Sequence, residues 1–568
     1  MKKGTSKYYH IAVLLVLFCL VLPAVFSGTH GTVCTDAAGS VDGNESFEKR
    51  YVGARIRGDV KGELEVLRQW IPKIRNPLVM EVALWRIYEC TRHYSLIDSC
   101  LEELNRAAEK NDLIRNSLLL AGRVKHLQKK LYISYGEPEK ALSISKDVNT
   151  IHNYKVATAN QELWTSLTAD PSGMVNLGSL NGNRGNCSYV LKSTIYVENE
   201  KRVYLGTGST GRMIIHANGE KIFHDRSRHE FCEDQYIVPV SFNKGKNFLR
   251  VKINSASQDA CSFSMRIISA TVSDMRKEYI NFGVVSSYST RKAMRHPAIV
   301  QGVEQGKSIM NKFYTGYCLY RYGFQNNEMR FLLYNLAGSE IAPALCHYYA
   351  GDSKGTKVTR LQSLYEAARL GMPEGQLKFT RIALRYGMGE AAIDSVRSMN
   401  FSGNTPYTVM AKALQYYDAG MYYPAIRELS LMEEEILCND VYYLRGRIYA
   451  DMDKYRYSSR SFMSFIRAGG FKPEYILSCV KAQKNAGLFG EAESLLVRGI
   501  RCFPHSIDLY VELCILYRDS HRLTMALGTI LAARKKSPWN EDVRHHLGIV
   551  LGMLGHGKTA ERYLRDVK

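Results

Sequence analysis

Five short segments decide the fold: Gly420-Met-Tyr-Tyr-Pro-Ala425, Asp453-Lys-Tyr-Arg-Tyr-Ser458, Gly487-Leu-Phe-Gly-Glu-Ala492, His521-Arg-Leu-Thr-Met-Ala526 and Gly555-His-Gly-Lys-Thr-Ala560. Their last residues recur at steps of 33, 34, 34 and 34. A small residue there lets two antiparallel helices approach closely, and the residue five places earlier takes the tight turn between them. Other positions keep the same register. Gly446, Cys514 and Gly548 fill a small site in the first helix of a unit, Tyr416, Tyr449 and Tyr517 a large aromatic one, and Pro504 and Pro538 end second helices. Agreement at four kinds of position predicts two-helix units that each bury an apolar side on the next.

This pattern resembles the tetratricopeptide repeat over Pro406 to Lys568, within a solenoid assigned to 401–568. Upstream, Ala344-Leu-Cys-His-Tyr-Tyr349 and Leu364-Tyr-Glu-Ala-Ala-Arg-Leu-Gly371 are similar to the Sel1 variant, and assign 336–400 to related hairpins. The resemblance implies a right-handed superhelix whose first helices line a concave groove, with Tyr443, Arg447, Lys481, Lys484, Arg518 and His545 along it. Four of these six are permanently basic, so the groove is expected to hold an acidic or extended peptide through charge-assisted hydrogen bonds. A solvated face of a structural spacer is the alternative. Leu477, Lys481 and Lys484 do not reproduce the Lys/Asn carboxylate clamp of the chaperone-tail-binding members.

Residues 45–167 carry apolar residues at three- and four-residue spacing over Val60–Ile74, Val79–Cys90, Ser95–Lys110 and Leu113–Tyr132, and predict helical hairpins. Gly136-Glu-Pro-Glu-Lys-Ala141 resembles a repeat turn. From 171 to 275 the texture changes to short β-branched and aromatic runs, among them Tyr189–Val197, Met213–His216 and Asn247–Ile253, punctuated by Gly and Asn. Asn218-Gly219 between two such runs is a hairpin signal, and the whole reads as an antiparallel sandwich. Residues 276–335 are a helical connector. The predicted fold class is therefore mainly α, a tetratricopeptide-like solenoid with an inserted antiparallel, jelly-roll-like β-sandwich.

Val203-Tyr-Leu-Gly-Thr-Gly-Ser-Thr-Gly-Arg-Met-Ile-Ile-His-Ala-Asn-Gly-Glu-Lys-Ile222, Val238-Pro-Val240 and Lys244-Gly-Lys-Asn-Phe-Leu-Arg-Val-Lys252 resemble sandwiches of the PA14 and carbohydrate-binding type. Sugar-binding members place two adjacent acids in a loop that here reads Gly208-Ser209-Thr210-Gly211, so the carboxylates that hard Ca²⁺ requires are missing. The basic stretch His224-Asp-Arg-Ser-Arg-His229 is expected in the next loop, where an anion is one reading and solvation the other.

At the N-terminus Lys2, Lys3 and Lys7 precede the apolar run Ile11–Leu22, then Pro23 and the small residues Ser27 and Gly28. This is the layout of a cleaved signal peptide over 1–27, followed by a polar leader over 28–44, and places the mature chain outside the cytoplasm. An uncleaved anchor is disfavoured because the run is shorter than the ~20 residues that span a bilayer. The formal charge is +21, and removing the three signal lysines leaves +18. Such a balance suits acidic partners, whether an acidic protein segment, an envelope glycan or a membrane surface, with nucleic acid disfavoured by export; without a run of Lys or Arg, a solvated basic surface is the plainer reading. Thirteen cysteines include no C-x-x-C pair. Cys90 with Cys100, and Cys232 with Cys261, are within pairing distance in sequence, whereas Cys479 and Cys514 sit in helical patterns and read as small buried hydrophobes. No nucleophile elbow, phosphate loop or H-E-x-x-H helix occurs. The expectation is a non-enzymatic scaffold without cofactor or metal, the rivals being a glycan-binding envelope protein and an unrecognised hydrolase.

Overall fold

A computed structural model describes residues 47–565 apart from 91–96, 159–163, 182–186, 227–229, 256–260, 283, 285–288, 299–308, 325–326, 338–342, 353–356, 387–404, 433–438 and 539. The expected signal peptide and leader lie outside the described residues, as do the end of the Sel1-like segment and the loop residues Ser227–His229.

The C-terminal units are the helix pairs that the stride demands. Each first helix is followed by its second: α13 (Pro406–Asp418) and α14 (Tyr422–Ser430), α15 (Asn439–Asp451) and α16 (Tyr455–Arg467), α17 (Pro473–Asn485) and α18 (Phe489–Cys502), α19 (Ile507–Asp519) and α20 (Leu523–Lys536), α21 (Glu541–Met553) and α22 (Gly557–Arg565). All five turn residues are left-handed, with φ of 72° at Gly420, 57° at Asp453, 76° at Gly487, 57° at His521 and 86° at Gly555. Ala425, Ser458, Ala492, Ala526 and Ala560 are buried where the paired helices meet. At Gly446 a Cβ would stand 2.7 Å from the Phe462 ring, which is why that site admits nothing larger. Side chains cap the helix starts. Thr405 accepts from Thr408 N–H ahead of Pro406, and Asn540 accepts from Val543 N–H.

Upstream, α1 (Phe47–Arg57), α2 (Val60–Trp70), α3 (Pro77–Cys90), α4 (Ile97–Lys110), α5 (Leu118–Ser134) and α6 (Pro138–Asp147) form the predicted hairpins. The helix expected over Leu113–Tyr132 is interrupted, because Ser117 caps α5 by accepting from Leu120 N–H. The sandwich also begins earlier than expected. β1 (Asn153–Thr158) and β2 (Thr165–Thr168) lie in the stretch assigned to helix, and the boundary at 171 is corrected to 153. Tyr154 and Val156 are buried while Lys155 is exposed, a two-residue alternation too short to stand out beside the preceding helices.

The sandwich contains β3 (Met174–Asn176), β4 (Cys187–Val197), β5 (Lys201–Ser209), β6 (Arg212–Ala217), β7 (Glu220–Asp225), β8 (Tyr236–Phe242), β9 (Gly245–Ser255) and β10 (Ser262–Ile268). One antiparallel sheet has the order β2-β1-β4-β9-β6-β7; the other is β11-β8-β5-β10-β3, its edge strand β11 (Met294–Arg295) coming from the connector. Asn218 and Gly219, at φ 49° and 89°, make the predicted hairpin turn. His224 and Asp225 end strand β7 instead of opening a loop: His224 is exposed and Asp225 is buried.

After α7 (Val272–Asn281), α8 (Ile309–Arg321), α9 (Asn327–Ala337), α10 (Pro343–Asp352), α11 (Lys357–Arg369) and α12 (Pro373–Tyr386) return the chain to helices, and the N-terminal hairpins pack against them. Buried ion pairs mark that joint. Arg55 Nη1 donates to Glu374 at 2.8 Å, Tyr348 Oη donates to the same carboxylate at 2.8 Å, and Arg86 grips Glu63 with two bonds at 2.8 and 3.0 Å. One continuous apolar core runs from Tyr51 through the sandwich to Ile448, and a second from Phe462 to Val550. The cysteines of both proposed pairs, Cys90, Cys100, Cys232 and Cys261, are buried and unbridged; Cys479 and Cys514 lie in the second core as expected.

Candidate functional site

The six groove positions fall on the first helices of successive repeats. Tyr443 belongs to packing: its ring lies 5.6, 5.4 and 4.9 Å from those of Phe462, Phe465 and Tyr475. Arg447 donates to Tyr417 Oη at 2.9 Å and lies over that ring. Lys484 is ion-paired to Glu512 at 2.7 Å, and Arg518 holds its neighbour Asp519 at 2.8 Å. Lys481 is exposed, and His545 is exposed with its ring edge-on to His546 at 5.4 Å. The structure thus aligns the set along one row of helices. It spends two of the four permanent charges on carboxylates of the same row: Lys484 reaches across to the first helix of the next unit, and Arg518 turns to its own neighbour in sequence.

A stronger concentration of cations lies on the second helices. A cleft of about 1030 Å³ opens between α16 and α18, with Arg456, Arg460 and Arg467 on one wall and Arg498 on the other. Positions 456, 460 and 467 are separated by four and seven residues, so the α16 helix puts all three on one face. All three are exposed, and none forms an ion pair among the described residues. Arg498 is anchored: its guanidinium donates to the carbonyls of Tyr135 and Gly136 and lies 4.8 Å from the Phe471 ring centroid. The turn between α5 and α6 therefore meets the solenoid beside one end of the cleft. Glu491 is the one carboxylate in the lining among the described residues, and Gln483 donates to it at 3.4 Å. Ser459, Ser464 and Ser494 add hydroxyls. The chemistry suits carboxylate or other oxyanion groups: guanidinium is planar, always charged and weakly hydrated, and it forms paired bonds to them. The expected groove read only first helices, so this cleft was not anticipated. The spacing of Arg456, Arg460 and Arg467 was the available signal.

The loop in which sugar-binding sandwiches hold calcium is built here without a carboxylate. Ser209 N–H donates to Gln235 at 3.0 Å, Gly211 N–H to Ser209 Oγ at 3.1 Å, and Thr210 Oγ1 accepts from Ser262 N–H at 3.0 Å, so the loop's polar groups are satisfied internally. Among the described residues no group of His, Cys, Asp and Glu side chains is arranged to hold a metal. No described helix is long and apolar enough to cross a membrane.

No family model matches the chain, and no curated protein matches it. Solved structures do. MamA (MSR-1) is 14% identical, with 28% of this chain and 94% of that one covered and a TM-score of 0.24. YrrB, described as a TPR protein with an unusual peptide-binding site, is 13% identical over 36% of this chain and 91% of that one, at a TM-score of 0.25. A tetratricopeptide repeat protein from Parabacteroides merdae is 16% identical over 42% and 91%, at 0.28. The mainly helical, tetratricopeptide-like architecture with an inserted antiparallel sandwich stands on the repeat geometry itself.

Proposed function

We propose that the chain is a binding scaffold, not an enzyme, and that it holds an extended acidic segment of a protein partner on its C-terminal solenoid, in the cleft between α16 and α18. One observation carries this reading: among the described residues, three arginines without carboxylate partners face a cleft of about 1030 Å³ that has a single acid in its lining. Like charges gathered on one wall repel, and a partner's carboxylates would remove that cost while gaining paired hydrogen bonds. The first-helix row, where Lys481 remains exposed, supplies a neighbouring surface along which a longer segment would continue. Lys2, Lys3 and Lys7 ahead of the Ile11–Leu22 run support an extracytoplasmic place for this scaffold.

Photo-crosslinking tests it. A photoreactive residue replaces Met463 in the cleft, or Lys481 on the first-helix row, and crosslinking is followed in the native cells with a 20-residue Glu/Ala peptide as competitor. Crosslinks from 463 are expected, lost with Arg460→Glu/Arg467→Glu and suppressed by the peptide. Unchanged crosslinking in the double variant would falsify the cleft assignment, as would crosslinks from 481 alone.

A further inference from the structure

The outward face of the six-stranded sheet carries a row of cations that the register sets side by side. Lys155 on β1 is directly opposite Lys192 on β4, Lys192 is opposite Arg250 on β9, Arg250 is opposite His216 on β6, and His216 pairs with Lys221 on β7. Lys155, Lys192, Arg250 and Lys221 are exposed. The next row out adds exposed Lys252, which the register places between Val190 and Ile214. Along this line the described strands offer no outward carboxylate: Glu220 is paired with inward Ala217 at the hairpin end, and Asp225 faces inward. Like charges directly opposite on neighbouring strands destabilise a sheet, so this one retains an unfavourable arrangement over β1, β4 and β9, where Lys155, Lys192 and Arg250 are in register. Burial, and after it the charges of Arg250 and Lys221, hold the His216 imidazole below its ordinary value.

Aromatic rings stand on both sides of the row. The Lys192 ammonium lies 4.0 Å from the Trp164 ring centroid on one flank. On the other, Phe248 and Tyr196 project from β9 and β4, and 40% of Trp164, 59% of Phe248 and 69% of Tyr196 is exposed. These rings have no apolar cover, although each is large enough to be worth burying.

We propose that this face binds a linear acidic polysaccharide running across the strands, its anionic groups meeting the charges of Lys155, Lys192, Arg250 and Lys221. Neighbouring strands are about 4.8 Å apart, so five strands space the cations over roughly 19 Å. Sugar rings also present flat C–H faces that pack on aromatic rings, which an acidic peptide lacks and which gives Phe248 and Tyr196 a use. The site is distinct from the arginine cleft and needs no metal.

Calorimetric titration of the whole protein with short polygalacturonate chains tests the assignment, with dextran, poly-glutamate, phosphatidylserine vesicles and a single-stranded oligonucleotide as comparison probes. Polygalacturonate is expected to bind, more weakly as salt is raised, and dextran is not. Lys192→Glu/Arg250→Glu should weaken binding at least tenfold with an unchanged unfolding midpoint, and Phe248→Ala/Tyr196→Ala should weaken it several-fold. Arg460→Glu/Arg467→Glu should leave it unaltered, which keeps this test separate from that of the cleft. The assignment is overturned if polygalacturonate does not bind, if the charge-reversed protein binds as the wild type does, or if any of the other three polyanions binds as tightly.

Discussion

At the scale of single residues, the repeat turns separate backbone from packing. Gly487 sits at φ 76°, and a Cβ added there would meet nothing within 4 Å, so Gly487→Ala changes only conformational strain and should destabilise the C-terminal core by about 1 kcal/mol. His521 occupies the equivalent place at φ 57° with a side chain that L-residues tolerate poorly there. His521→Gly should therefore stabilise by up to about 1 kcal/mol. Urea unfolding followed by helicity reads both, and a lowered midpoint for His521→Gly would show that its side chain contributes more than the strain costs. The same residues show how legible the turns were. A stride of 34 located Asp453 and His521 as turn residues although neither is glycine, because Ala and Ser five places later kept the register.

At the scale of elements, the loops between repeats dock on the rest of the chain. Phe471 N–H donates to the Ser134 carbonyl at 3.3 Å, Ser537 Oγ to the Leu180 carbonyl at 2.9 Å, and buried His505 bonds through Nε2 to the Thr168 carbonyl at the end of β2. Burial pushes the His505 pKa down to about 4, with the Thr168 carbonyl opposing it and Lys536 adding to it. The unfolded value is near 6.5. A depressed value means that the neutral form is the one the fold accepts: its contribution is complete above pH 6.5 and is lost as pH falls towards 4. The loss is of the order of 3 kcal/mol. Comparing urea midpoints at pH 7 and pH 4.5 should show a smaller drop for His505→Gln than for wild type; parallel profiles would mean that His505 does not titrate as the docked neutral form. None of these contacts was visible in the sequence, since they join positions more than 300 residues apart through backbone carbonyls that every residue possesses.

At the scale of the whole molecule, two apolar cores divide the chain between Ile448 and Phe462, and the first is tied together by buried ion pairs. Arg55 and Glu374, 2.8 Å apart and almost fully enclosed, join α1 to α12. Arg55→Met would leave Glu374 buried without its cation, a loss of about 3–5 kcal/mol. We expect it to appear as an earlier unfolding step of the N-terminal core, read by Trp85 and Trp70 fluorescence, while helicity of the Phe462–Val550 core melts as before; one shared transition for both signals would reject the division. Sequence alone determined the helical hairpins, the left-handed turns, the strands from Tyr189 to Ile268 and the small residues at helix crossings, because backbone freedom and side-chain size act within a few positions or at a fixed stride. It missed β1 and β2, whose alternation is brief, and the two-residue strand β11 inside the stretch assigned to a helical connector. Which cations remain free was decided largely by tertiary structure: Lys484 finds Glu512 on the next first helix, whereas the arginines of α16 and the row from Lys155 to Lys221 find no acid among the described residues. Charge is carried by the sequence, but its neutralisation depends on which distant side chains the fold brings within a few ångströms.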